Sequence, residues 1–147
     1  MSEPLHRLVY ISQNLIPGDK AQVKAEIEQI LETSRRNNSK IGVTGALMYN
    51  SGCFTQILEG PQSHISGVFE RIQRDTRHSD VVVLEFGPAD HRDFADWSMG
   101  FVGRDDGAVE PLKDAVTSGS FDVRALESRD IYKSVYDLMK NVEPALV

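Results

Sequence analysis

Two stretches carry apolar residues at helical spacing, and each lies between stretches that read as strands. Val23, Ile27, Ile30, Leu31 and Ser34 recur at i, i+4, i+7, i+8 and i+11, which predicts an amphipathic helix over about 19 to 37 with Asp19 and Gln22 as its capping pair. Ile65, Val68, Phe69 and Ile72 predict a second helix opening at Gly60-Pro61. Around them lie strand-like runs at Leu8–Ser12, Val43–Tyr49, Phe54–Glu59, Val81–Phe86 and Trp97–Val102, with Asn50-Ser51-Gly52 as a hairpin turn. The order is β-α-β-β-α-β-β. If both β-α-β crossovers are right-handed, both helices pack on one face of the sheet, so the chain reads as an α+β, ferredoxin-like fold.

The other sheet face needs a cover, because a bare apolar face is an aggregation surface. Two weaker helical patterns follow a linker at Gly103–Gly107: Val109, Leu112, Ala115 and Val116, then Ile131, Val135, Leu138 and Met139. They are expected on that second face. The division is residues 1–103 as the core and 104–147 as a C-terminal helical extension. At 147 residues one domain is expected, burying roughly 68% of its unfolded surface.

Composition removes several function classes. The formal charge is −6, from 16 basic and 22 acidic residues, which gives no electrostatic footprint for nucleic acid. Cys53 is the only cysteine, and His6, His64, His78 and His91 lack metal-ligand spacing. No apolar run approaches the roughly 20 residues of a membrane span, so a cytoplasmic, soluble protein without a metal is expected. Phosphate loops, nucleophile elbows and paired catalytic carboxylates are also missing from the sequence, which speaks against an ordinary hydrolase.

What remains is a set of polar residues on apolar elements. Tyr10 shares a strand face with Leu8 and Ser12, Gln56 lies between Phe54 and Leu58, and Asn37 and Asn38 fall where the first apolar stripe stops. Arg71 and Asp75 flank Ile72, and His78 follows in the next loop. Taken singly, each has a plain structural reading: a core aromatic, an edge residue, a helix C-cap, a loop polar group. Taken together, they sit where the first and third strands of a ferredoxin-like sheet are neighbours beneath two helices, an arrangement that could clamp a flat ligand between Ile30 and Ile72.

Leu8-Val9-Tyr10-Ile11-Ser12, Arg36-Asn37-Asn38 with Gly42-Val43-Thr44-Gly45, Phe54-Thr55-Gln56-Ile57-Leu58-Glu59-Gly60, Arg71 through His78, and Phe94-Ala95-Asp96-Trp97-Ser98-Met99 together resemble the BLUF family of blue-light sensors using flavin. The resemblance implies a flavin, FAD or else FMN or riboflavin, sandwiched by Ile30 and Ile72. It implies that Asn37 and Asn38 hold the ring's polar edge, with Arg71 at the C2 carbonyl side and Asp75 and His78 near the outer edge or the ribityl chain. Gln56 would bridge Tyr10 and the ring. Under blue light Tyr10 would give an electron and a proton through Gln56, whose rearranged amide shifts absorption to the red until dark recovery. Trp97 and Met99, expected on one strand face, would pass the change on; which of them meets Gln56 stays open. Output through a separate protein partner or a change of oligomer is expected in place of enzymatic turnover, and a homo-oligomer, a dimer, is expected. A small flavin reductase or an acylphosphatase-like hydrolase on the same scaffold is the alternative.

Overall fold

Helix α1, Lys20–Ile41, begins where the sequence places it. Asp19 accepts from the Gln22 backbone N–H at 3.0 Å and the Gln22 side chain accepts from the Asp19 N–H at 2.8 Å, a complete capping box. It ends later than its apolar stripe suggests. The computed structural model, which describes residues 4–14, 16, 18–50, 53–104 and 128–140, carries α1 through Asn37 and Asn38 to Gly42. There φ is +70°, and the Gly42 N–H closes on Asn38 O. The stop is therefore set by the residue able to turn left-handed, and Asn37 and Asn38 lie inside the last turns. Helix α2, Gln62–Arg74, follows Pro61, which is the N-cap and not the first helical residue.

The strands are β1 Leu5–Asn14, β2 Thr44–Asn50, β3 Cys53–Pro61, β4 His78–Pro88 and β5 Gly100–Arg104, in the order β4-β1-β3-β2-β5. β1 runs antiparallel to both β3 and β4, β2 antiparallel to β3, and β2 parallel to β5. Register places Tyr10 opposite Gln56, Gln56 opposite Leu47, and Leu47 opposite Phe101. One row across the sheet thus carries the polar pair. Gly45 in β2 has no room for a side chain, since an added Cβ would lie 1.9 Å from Ile57 O of β3.

Two cores form, one on each face. On the first, Ile27 and Leu31 of α1 and Ile65 and Val68 of α2 pack on Leu8, Tyr10, Leu47 and Leu58, so both long helices share a face as expected. On the second, Ile131, Val135 and Met139 of helix α3, Ser128–Met139, are fully buried against Val9, Ile11, Met48, Ile57 and Phe94. At roughly 1.5–3 kcal/mol per buried side chain, these three anchor α3 to the sheet. The other expected C-terminal helix, on Val109, Leu112, Ala115 and Val116, lies outside the described residues.

The fifth strand departs from expectation. It starts at Gly100, and Trp97, Ser98 and Met99 precede it in a bend where the Trp97 N–H donates to Phe94 O at 3.0 Å. Two-residue alternation holds only within a strand, so Trp97 and Met99 do not share a face: Met99 packs in the helix-side core and Trp97 against the α3-side core. The chain ahead of this bend is pinned by Glu59, fully buried, which accepts from Asp93 N–H at 3.0 Å, Phe94 N–H at 2.9 Å and Arg7 Nη2 at 3.1 Å. His78, expected in a loop, opens β4.

Candidate functional site

Between α1 and α2, above the row that carries Tyr10 and Gln56, lies a slot with about 60 Å³ of free space. Its floor is Tyr10, Gln56, Leu47 and Phe54 from the sheet; Ile30 and Ser34 of α1 form one wall, Ile72 of α2 the other, and Asp75, Arg77 and His78 the rim. Ile30 and Ser34 are one helical turn apart, and Asn38 continues that stripe by another turn.

The floor holds a polar relay in an apolar setting. The Tyr10 hydroxyl donates to Gln56 Oε1, and Gln56 Nε2 donates to Met99 Sδ at 3.4 Å. The amide orientation is fixed by its neighbours, because a thioether sulfur has no proton to give and must meet the nitrogen end. Gln56 is 4% exposed, so one of its two N–H groups is committed to a weak acceptor in a place where unmet donors are costly. Burial, and then the negative charge of Asp75, push the Tyr10 phenol well above its usual range; it stays protonated at any ordinary pH. Its ring packs on Phe69 at 5.6 Å between centroids.

The rim is tied by charge. Arg77 grips both Asp75 oxygens, with Nη2 at 2.6 Å and Nε at 2.9 Å, and reaches Glu26 of α1 at 3.2 Å. This bidentate contact holds the Asp75 carboxyl below its usual range against the opposing effect of burial. His78 Nε2 is 2.7 Å from Ile72 O, which can only accept, so Nε2 carries the proton and Nδ1 is left to pair with Ser12 Oγ at 2.7 Å.

Of the residues singled out from sequence, Tyr10, Ile30, Gln56, Ile72, Asp75 and His78 meet at the slot. Asn37 is half-buried in α1, Asn38 is buried with Nδ2 donating to Ser98 O at 3.1 Å, and Arg71 is exposed on α2; none of these three is among the residues lining it. Met99 lies behind Gln56, whereas the Trp97 ring sits tilted against Phe94 on the far side. Sequence reasoning passed over Arg77, Leu47, Phe54 and Ser34 as slot residues. Phe54 was findable as the residue two before Gln56 on one strand face; Arg77 was not, since its direction depends on the turn after α2.

The chemistry available is a neutral phenol donating to an amide that can turn about its last bond, at the bottom of a narrow apolar slot with an arginine at the mouth. A family profile described as "BLUF: Sensors of blue-light using FAD" matches residues 5–100. Photoactivated adenylate cyclase subunit beta from Euglena longa is 35% identical over 96 residues, 65% of this chain but 11% of that protein, so the chain spans a small part of the length of that relative. Among solved structures, the dark state of BlrB, a BLUF protein, superposes with a TM-score of 0.71 at 28% identity, covering 95% of this chain and 97% of that one. The photo-activated state of BlsA gives 0.74 at 27% identity, covering 96% and 98%.

Proposed function

Because this chain belongs to the BLUF family, sensors of blue light using FAD, we propose that its slot is the flavin site and that Gln56 is the moving part of a light-driven switch. The observation that carries this reading is the buried Gln56 amide, held by the Tyr10 hydroxyl on one side and spending a donor on a thioether on the other. A ring edge bearing acceptor atoms would take the other N–H of that amide, while the first stays on the sulfur. Two isoleucines facing each other across a narrow slot suit a flat aromatic system, and Ile30 and Ile72 would part to seat a ring larger than the present free space.

When bound, the flavin supplies blue-light absorption and an excited state that is a strong oxidant. Ile30 and Ile72 would hold its faces, and Gln56, Asn37 and Asn38 its polar edge. Of the two arginines, Arg77 reaches the slot, so we assign the C2 carbonyl contact to it and leave Arg71 to whatever projects outside. Asp75 orients Arg77, and His78 fixes the floor beneath through Ser12. Tyr10 keeps its own proton, directed at Gln56 Oε1, and is the donor the pocket offers. Turning the Gln56 amide would break its contact with Met99, because Met99 Sδ cannot donate to Oε1, and would reverse its contact with Tyr10, whose hydroxyl oxygen can accept from Nε2. That loss is felt by Met99, two residues from Trp97 on the α3 side, and the 97–99 bend is our route from slot to α3.

We read residues 1–103 as the light-sensing core and 104–147 as the output extension, acting in the cytoplasm through a separate protein or a change in a homodimer and without turnover of its own. Among the described residues no helix is long and apolar enough to cross a membrane. One absorption series tests the reading. The purified chain should be yellow, shift to the red under blue light and recover in darkness; a colourless protein, or NAD(P)H-dependent turnover, would overturn it. Sedimentation and partner capture identical in dark and light would overturn the output route alone.

A further inference from the structure

Three consecutive backbone carbonyls before β5 are each held by a donor from another element. Trp97 O accepts from Gly45 N–H at 3.0 Å, Ser98 O from Asn38 Nδ2 at 3.1 Å, and Met99 O from Arg35 Nε at 2.8 Å. The last of these is at the residue whose sulfur meets Gln56. A thioether is a poor acceptor, so the 3.4 Å contact between Gln56 Nε2 and Met99 Sδ is too weak to keep the sulfur in place by itself. Core packing and the held backbone together set its position, and a hydrogen bond from a charged guanidinium is roughly twice as strong as a neutral one. Arg35 is half-buried and does not line the slot. Asn38 belongs to the proposed flavin site and Gly45 acts through its backbone, which leaves Arg35 as the member of the three that can be changed without touching slot or sheet.

We propose that Arg35 is a positioning residue for the photocycle: by holding the Met99 carbonyl it seats the Met99 sulfur against Gln56 and so sets how fast the dark arrangement returns. This rests on the light-switch reading above. Without Arg35 the sulfur loses its seat, the dark orientation of Gln56 loses the acceptor of its N–H, and return to that orientation slows.

The test uses the full chain with FAD as native protein and as Arg35→Ala, Arg35→Lys, Met99→Leu and Arg35→Ala/Met99→Leu, together with methionine methyl NMR of the flavin-free native and Arg35 variants. Arg35→Ala should bind FAD and shift to the red as the native chain does, but recover about three- to tenfold more slowly, the factor that one hydrogen bond carries. Arg35→Lys, which keeps a donor, should recover within twofold of native. In the Met99→Leu background Arg35→Ala should add nothing, since the atom it positions is gone. In flavin-free protein the Met99 methyl resonance should move in Arg35→Ala and stay in Arg35→Lys, while Met48, in the other core, stays in both. Recovery of Arg35→Ala within twofold of native, slowing that multiplies with that of Met99→Leu, or an unmoved Met99 methyl would overturn the proposal. A native chain with no photocycle would sink the switch reading instead, and the methyl spectra would still decide whether Arg35 seats Met99.

Discussion

At the scale of single residues, Tyr10 and Gln56 form a donor and an acceptor that each need the other. Both are buried, and they face each other across β1 and β3 with no other hydroxyl on that row. Tyr10→Phe keeps the ring's packing on Phe69 and strips Gln56 Oε1 of its donor, an effect of about 1–3 kcal/mol on stability. The expected outcome is a yellow protein with a lower urea midpoint and no red-shifted state in its light-minus-dark spectrum. Gln56→Leu should lose the shift as well, by removing the amide while keeping the volume; a normal photocycle in either variant would sink the assigned roles.

At the scale of elements, the rim depends on the turn between α2 and β4. Asp75 there clasps Arg77, which also reaches across to Glu26 on α1, so one carboxylate helps to hold α1 and α2 at a fixed separation. Its pKa lies below the ordinary value because of Arg77. The stabilisation from this depressed group is therefore full above the unfolded value of about 3.9 and is lost as pH falls through the lower folded value. Urea midpoints measured between pH 3 and 6 should fall below about pH 4 in the native chain and fall less steeply in Asp75→Asn, which has no such proton to take up. Equal slopes would mean that the clasp contributes nothing in solution.

At the scale of the whole molecule, Glu59 joins parts distant in sequence. It is fully buried on β3 and binds Arg7 of β1 and the Asp93 and Phe94 amides. Asp93 in turn pairs with Arg7 and accepts from Tyr132 of α3, while the Arg7 guanidinium lies 4.7 Å from the Tyr132 ring centre. Removing one partner of a buried charge pair costs about 3–5 kcal/mol. Glu59→Ala should lose about that much in denaturant unfolding, and amide exchange should speed first in α3 and in residues 91–99. Protection that falls evenly over the chain would argue against Glu59 as the tie between sheet and α3.

The same scale separates what could be read early from what could not. Periodicity was enough for the element order, the shared face of α1 and α2, and the strand faces that Tyr10 shares with Leu8 and Gln56 with Phe54 and Leu58, because these follow from 3.6- and 2-residue repeats and from the packing of right-handed crossovers. Family motifs then supplied the flavin. Tertiary contacts decided the rest. α1 runs past its apolar stripe because Gly42, not the stripe, ends it; Trp97 and Met99 part company because a bend pinned by Glu59 precedes β5; and Arg77, not Arg71, reaches the slot because a turn aims it there. A local repeat fixes which face a residue takes within an element, and the sequence by itself determined that much. Where a chain leaves the repeat, direction depends on partners far along the sequence, and the folded structure alone put Met99 behind Gln56 and Arg35 behind Met99.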